Sequence, residues 1–498
     1  MGRALRRRLG RRLGIVVALV VVAFVARPLA HLTRVAWHDE RAAPMAGDDA
    51  SVVDASRLER FTIAGVRTLP ADFDAAVSMI RATFEEARRS GLAVSVAGAR
   101  HSMGGQSIAR DGLLIDATGL RGVTVDTRRR VASVRAGTRW SELIATLDPH
   151  GLAVAVMQAN NVFTVGGSVS VNAHGWQPLS PPVGSSVESL RIVAPDGRLL
   201  RLSRDENADL FGLVLGGYGL FGVIVDVDLR VVPNLRYRVE QVEIPAADYA
   251  RAFAGRVAHA GHTPGLAFGR LSVAPSRMLD TALLTVFVAE DAAPEALGAA
   301  PARRLPRLVF RGSVGSDYGK ELRWNLERRF GQFALNPQIS RNQAMNQDLG
   351  IVESHDPAST EVLQEYFVPP TAFAAFVEAM RAIVHGSGVD LLNVTVRDLA
   401  EDHDSFLRYA DRDLLALVLL LHVPRSPAGD ARLGAIEQRL IDAALAAGGR
   451  YYLPYRLHAR ADQFHRAYPR AREFFARKRA FDPEGLLSNE LMRRHGAD

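Results

Sequence analysis

The chain has 498 residues and no cysteine, which excludes disulfides, thiolate metal ligands and cysteine nucleophiles. With 48% hydrophobic and 23% charged residues, it can bury a large core and has room for two or three domains. The net charge of +7 does not point to nucleic acid: residues 1–12 hold six arginines and no acid, and no basic helix or aromatic-interleaved basic stripe follows.

The N-terminus, "MGRALRRRLGRRLGIVVALVVVAFVARPLA", sets a basic stretch before an apolar run from Leu13 to Ala26. That run has the length of a signal-peptide core and falls short of a full span of roughly 20 residues. No A-x-A cleavage site follows it, which favours a single uncleaved anchor, with a cleaved export signal still open. Arginines in front of the run place the N-terminus in the cytoplasm and the body on the outer, periplasmic side of the inner membrane. The Arg11-Arg12 pair permits twin-arginine export. Residues 1–32 therefore read as a basic N-terminus with a transmembrane or signal helix, and the polar, Ala/Asp-rich residues 33–58 as a linker.

From residue 59 short strands and helices alternate. "ADFDAAVSMIRATFEEARRSG" predicts an amphipathic helix, with Phe73, Val77, Ile80 and Phe84 on one face and Gly91 as its stop. "LAVSVAG", "GLLIDATGL" and "VASVRAGTRW" predict strands, and "WSELIATLDPHG" a short helix. "VESLRIVAPDGRLLRLS" predicts a hairpin around a Pro-Asp-Gly turn. "ENADLFGLVLGG" predicts a short helix and "FGVIVDVDLRVVP" a long alternating strand. Residues 59–235 thus form an α+β unit. Residues 236–450 change texture, with longer helices such as "TAFAAFVEAMRAIVHGSG" and apolar strands such as "LLALVLLLHVP", and read as a second domain with its own sheet. Residues 451–498 read as a helical segment with aromatic and arginine faces.

Three glycine clusters stand out: Gly98, Gly104 and Gly105 around His101; Gly166 and Gly167 ahead of His174; and Gly217, Gly219 and Gly222. The last is a literal G-x-G-x-x-G, but a helix precedes it and a strand follows, the reverse of a dinucleotide fingerprint. Glycine loops at strand ends expose backbone N–H groups that cradle phosphates. Three within one unit point to a single large phosphate-bearing ligand, with tight turns as the plainer alternative. His259 and His262 form an H-x-x-H pair without a nearby carboxylate, so no metal site is expected. No G-x-S-x-G or P-loop occurs. At this level His101 is open as a base, a ligand, a tether or a bystander.

Four blocks, "VAGARHSMGGQSIARDGLLIDATGLRGV", "FTVGGSVSVNAHG", "ENADLFGLVLGGYGLFGVI" and "FDPEGLLSN", resemble in order those of the FAD-binding (PCMH-type) flavoproteins of the vanillyl-alcohol oxidase superfamily. The carboxyl end is most similar to the sugar-lactone and alditol oxidases and the decaprenylphosphoryl-ribose oxidases. The resemblance implies an FAD domain of two subdomains over residues 59–235, completed by residues 451–498. A cap domain with an antiparallel sheet and helices would span residues 236–450. It implies that Ala97, Gly98, Ala99, Arg100, His101 and Ser102 wrap the FAD diphosphate. Thr164, Gly166, Gly167, Ser170 and His174 would line its second side, and Gly222 and Ile224 its adenine–ribose portion. Tyr452 and Asn489 would complete the cofactor site. His101 matches the histidine that tethers the flavin covalently in some members, although Arg100 departs from the small residue usual before it. Without cysteine a second link is impossible.

The implied reaction is hydride transfer from a CH–OH group of a sugar-like, polyol, lactone or polyprenyl-sugar substrate to flavin N5, with O2 or a quinone as electron acceptor. Tyr455, which stands where the decaprenylphosphoryl-ribose oxidases carry a lysine, is a candidate for base or substrate orientation, with Glu365, Asn393, His458 and Arg456. Cytokinin dehydrogenases carry an aspartate base where this chain has Ala159, which counts against amine oxidation. A dehydrogenase or C=C reductase of the same fold, as in the sterol reductases, and a non-catalytic flavin-binding envelope protein are the alternatives.

Overall fold

The computed structural model describes residues 26–37, 51–259, 265–298, 304–334, 338–347 and 349–496. The apolar run before Ala26 and His262 lie outside the described residues. Among the described residues no helix is long and apolar enough to cross a membrane.

The first sheet is parallel, with Leu113–Asp116 between Gly65–Thr68 and Val94–Ala97. Parallel strands need a crossover, and the helix Phe73–Ser90 supplies it. Its N-cap, Asp72, accepts from the Ala75 amide at 2.8 Å, and Gly91 ends it at φ 65°, where a side chain would be strained. Val77, Ile80 and Phe84 bury their side of it; Phe73 lies at the rim, where the guanidinium groups of Arg135 and Arg191 both stack on its ring at 4.2 Å.

Those two arginines belong to the second sheet, which is antiparallel and six-stranded. Its long strand Val223–Pro233 runs between Val187–Val193 and Val131–Arg135, with Leu199–Ser203 and Val123–Asp126 outermost and Leu152–Val154 on its far end. The expected hairpin closes between Val193 and Leu199, and Gly197 takes φ 85° in its turn.

Among the described residues the third sheet holds eight antiparallel strands. Leu414–Pro424 pairs with Asp390–Leu399 on one side and Ser359–Val368 on the other. Beyond the first lie Leu266–Leu271, Thr281–Ala289, Arg236–Pro245 and Gln338–Ser340; beyond the second lies only Arg450–Tyr451. The helices Phe373–Val384 and Pro427–Ala446 pack on each other along this sheet. Strand alternation turns Tyr366 towards Phe376 of the first helix, ring centroids 5.8 Å apart, and its neighbour Phe367 towards His174, 5.6 Å away, on the opposite face. That opposite face looks at the two smaller sheets.

The C-terminal segment returns to the first sheet. Leu487 bridges Val94 in parallel, and the Ser488 amide donates to the Val94 carbonyl at 3.0 Å. At the other end, the linker expectation for residues 33–58 needs correction. The helix that includes residues 26–37 runs past residue 33, and Ser51–Val53 pairs with Arg60–Thr62. Asp54 and Ser56 are buried and bonded, so a polar composition here marks a buttress instead of a tether. The helix of residues 26–37 rests on the cap helices Arg304–Arg311 and Asp317–Ala334: His31 Nε2 meets the Gly312 carbonyl at 2.8 Å, and Arg27 covers the Tyr318 ring at 4.0 Å.

Candidate active site

A cavity of about 760 Å³ lies between the cap sheet and the two smaller sheets, within the size range of cofactor sites. Glycine loops form one side. The chain leaves Val94–Ala97 through Gly98, where a Cβ would sit 2.0 Å from Thr164 Oγ1, so only glycine lets these two turns touch. Arg100 follows with φ 53°, and His101, Ser102 and Ser107 face the cavity. The loop is held from behind by the N-terminal buttress: the Gly105 amide donates to Asp54 Oδ2 at 3.0 Å and the Ala55 amide to the Ser102 carbonyl at 3.1 Å. Burial raises the Asp54 carboxyl above its ordinary range, against opposing bonds from Ser56 and the charge of Arg456. Thr164 caps the short helix Val165–Ser170 by accepting from the Gly167 amide, and Gly166, Gly167 and Ser170 line the wall beside it. Gly219, Gly222 and Ile224 complete this side.

The cap sheet forms the other side, and its register explains which residues meet. Glu365 pairs with Val418, Val418 with Thr395, and Thr395 with Arg270, a row running across four strands. Next to it runs a second row, Leu363 to Leu420 to Asn393. All of them line the cavity, because residues two apart on a strand share a face. Arg323, from the helix Asp317–Ala334, closes the far wall by donating to Asn393 Oδ1 at 3.0 Å, to the Leu392 carbonyl at 2.7 Å and to Glu327 at 2.8 Å. Arg270 reaches the same carboxylate at 2.7 Å. Burial alone would raise Glu327, but Arg270 and Arg323 outweigh it and bring it down to about 2.

The two sides meet at Tyr455. Its hydroxyl donates to Glu365 Oε2 at 3.2 Å, and His174 Nε2 stands 2.6 Å from Oε1 of the same carboxylate. Burial works to raise Glu365, yet His174, Arg397 and Tyr455 together hold it below the usual carboxylate range, so it is ionised at neutral pH. Burial and the Glu365 charge push the Tyr455 phenol well up, so it carries its proton. The segment bearing Tyr455 is pinned to the glycine loop: Gln106 Nε2 donates to the Leu453 and Tyr455 carbonyls at 2.5 and 2.6 Å. A Cβ on Gly104 would lie 2.5 Å from the Tyr455 carbonyl oxygen, so this contact too depends on glycine. Tyr452 fixes the facing turn by donating to the Val171 carbonyl at 2.8 Å. On the glycine side, His101 packs on Phe163 at 4.2 Å, and burial with the nearby Arg139 charge lowers its pKa to about 4. Its imidazole is neutral at physiological pH.

The cavity gathers Gly98, Ala99, Arg100, His101, Ser102, Thr164, Gly166, Gly167, Ser170, His174, Gly222, Ile224 and Tyr452 from the expected cofactor set, and Glu365, Asn393 and Tyr455 from the expected reaction set. Ala97 is not on its wall: it is buried in a small apolar cluster with Phe61, Ile108 and Leu114. Asn489 is one layer back, donating to the Tyr218 carbonyl at 2.9 Å and so bracing the glycine turn. His458 and Arg456 lie off the cavity wall as well. Their partners are acids of the helix Pro427–Ala446, with Glu437 2.7 Å and Asp430 3.1 Å from His458, and Asp430 2.7 Å from Arg456. These contacts lock the C-terminal segment to the cap.

Sequence reasoning missed Arg270, Thr395 and Arg397, and also Arg323 with Glu327. Thr395 and Arg397 were readable, since they follow Asn393 at two-residue steps on one strand. The helix pair offered no comparable signal.

Six lining residues carry a buried polar atom with no hydrogen-bond or ion-pair partner among the described residues: Ser107 Oγ, Gln158 Oε1, His174 Nδ1, Trp176 Nε1, Arg270 Nε and Arg397 Nε. Buried polar atoms are nearly always satisfied in folded proteins, so these mark donors and acceptors kept for bound molecules. Glycine backbone with a neutral imidazole on one side, the aromatic Tyr452 and Tyr455 facing it, and a volume of this size fit a dinucleotide flavin.

Comparison with known proteins agrees. Residues 75–203 match the family described as FAD binding domain. The chain is 23% identical to decaprenylphosphoryl-beta-D-ribose oxidase of Mycolicibacterium smegmatis over 84% of its own length and 92% of that protein. It is 33% identical to L-galactono-1,4-lactone dehydrogenase 2 of rice over 30% of this chain and 25% of the relative. With mouse L-gulonolactone oxidase it shares 31% identity over 32% of this chain and 36% of the relative. The chain thus spans only a quarter to a third of the lactone enzymes it matches.

Proposed function

We propose that this chain, whose residues 75–203 belong to the FAD binding domain family, is an FAD-dependent oxidoreductase that oxidises a CH–OH group. The observation that carries the reading is the buried Tyr455–Glu365–His174 chain at the meeting point of the glycine loops and the cap sheet. Bound FAD supplies the hydride acceptor. Gly98 to Ser102 would hold its phosphates through backbone N–H groups, and Gly166, Gly167 and Ser170 would pack against it. Tyr455 takes the substrate hydroxyl proton while passing its own to the ionised Glu365, and His174 holds that carboxylate in place. The sheet and helices above exclude water. His101 is the position for a covalent link to the flavin, as its neutral ring and cavity-facing place allow.

The substrate end of the cavity supports a choice among the expected classes. Leu363, Val418, Leu420, Val309, Phe310 and Ile351 line it, with Arg270, Arg323 and Arg397 on one wall. Polyols and free lactones would leave such a surface uncovered. A sugar-like head with an apolar tail covers it, as does a polyprenyl-phosphate sugar, the substrate type named for the mycobacterial relative that the chain matches over most of its length. The apolar run from Leu13 is read as a single anchor with the body on the outer side.

The test is flavin bleaching at low oxygen. Purified protein should be yellow, bleach with a polyprenyl-phosphate sugar and recover with O2 or a quinone. Protein that binds no FAD, or flavin that no hydroxylated substrate bleaches, overturns the reading.

A further inference from the structure

Six large hydrophobic side chains are exposed among the described residues, and four of them sit on three helices that pack together. Leu29 and Trp37 lie on the helix of residues 26–37. Leu305 is on Arg304–Arg311, and Phe330 is on Asp317–Ala334, each more than half exposed at 62% and 54%. Leu305 and Phe330 also line the cavity, so they are the lips of its mouth. Lone exposed hydrophobics need no explanation, but a concentration of them at a cavity mouth does.

We infer that these three helices dock on the surface of a phospholipid bilayer and hold the cavity mouth against it. Two further observations choose the bilayer over a protein partner. In Arg304–Arg311, Arg304, Arg307 and Arg311 share one stripe at three- and four-residue spacing, while Leu305 and Val309 share another. The arginine stripe turns inward, with Arg307 donating to the Gly350 and Glu353 carbonyls and Arg311 paired with buried Glu361, which leaves Leu305 on the outer face. Trp37 supplies the amphipathic ring favoured at headgroup depth. Continuity is the strongest argument. The sequence entering the helix of residues 26–37 is apolar from Leu13 onward. That helix is fixed to the turn between the two cap helices by His31 on Gly312 and on the Tyr318 ring, and by Arg27 on the same ring. Wherever the apolar run enters lipid, the mouth is tied beside it. The inference uses the run only as apolar chain ending where the docked helix begins, and does not rest on the enzyme reading.

The absence of cysteine makes the test direct. Leu305→Cys and Phe330→Cys, with Val66→Cys and Leu179→Cys at the two exposed hydrophobics elsewhere as controls, each give the full-length chain one spin-labelling site. Power saturation is measured in phosphatidylglycerol/phosphatidylethanolamine vesicles, with oxygen and a water-soluble nickel chelate as relaxants. Labels at 305 and 330 should show an oxygen-to-nickel accessibility ratio at least several-fold above those at 66 and 179. Ratios equal to the controls in the vesicles overturn the proposal. Protection of 305 and 330 without lipid, rising with protein concentration, would assign the face to a second copy of the chain and equally overturn it. Flotation of the unlabelled chain reads anchoring separately.

Discussion

Replacing Glu365 by glutamine removes one charge and almost no volume, which isolates what the carboxylate does. In the native cavity this group receives the Tyr455 hydroxyl at 3.2 Å and stands 2.6 Å from His174 Nε2. A glutamine keeps one acceptor oxygen, but its amide cannot take the proton that Tyr455 must release. Loss of a positioned base costs about 10²- to 10⁴-fold in rate, or about 3–5.5 kcal/mol at the barrier. The cap contacts proposed to bind an apolar tail are untouched, so the loss should fall on kcat with KM changed less than about threefold. Because His174 and Arg397 hold the carboxyl below the usual range, the native reduction rate should be flat from pH 8 down past the ordinary carboxylate value of about 4.3. It should fall only beneath that, as the group finally protonates. In E365Q this acid limb disappears. The assay is stopped-flow bleaching of the flavin near 450 nm across pH. An E365Q rate within about threefold of native refutes the relay.

Acid precipitation should give a yellow pellet from the native protein and a colourless one from His101→Ala; a colourless native pellet would reduce His101 to a contact. Lys478 and Asp482 form a fully buried pair at 2.6 Å, so Lys478→Met leaves an uncompensated carboxylate and should cost about 3–5 kcal/mol in chemical denaturation, against no measurable change if the pair is incidental. Burial would lower His458, but Glu437 and Asp430 prevail and raise it to about 9. A raised folded pKa means that this stabilisation is complete below the unfolded value near 6.5 and is lost as pH climbs through about 9. Tm should decline between pH 6.5 and 9.5 in the native chain and decline less in His458→Gln; identical slopes would refute the assignment.

The glycine loops and the helix Phe73–Ser90 were legible because local rules govern them: a capping aspartate, a regular apolar stripe and turns that only glycine can make. Tyr455 and Glu365 were reached through resemblance, and Arg397 was within reach through alternation from Asn393. His458 was misplaced because its partners, Glu437 and Asp430, stand on a helix more than twenty residues upstream, and a histidine carries no mark of the face it will turn to. The segment around Asp54 failed differently. Its Ala/Asp-rich composition is that of a linker, and only tertiary contact with the Gly105 amide makes the aspartate structural. Arg323 and Glu327 have ordinary helix spacing, so their burial in a cavity wall is a property of the docked cap.

The clamp of Gln106 on the Leu453 and Tyr455 carbonyls joins positions 347 and 349 residues apart. During synthesis the glycine loop leaves the ribosome early and waits for its partner. At about 5–20 residues per second that interval is roughly 20 to 70 s. Over this time the loop has its Asp54 buttress but no ceiling, and the wall carrying Glu365, Tyr452 and Tyr455 has yet to form. A complete cofactor site is therefore a late event in the life of the chain, reached only after nearly all of it has been made, and flavin loading is set by the arrival of the C-terminal segment.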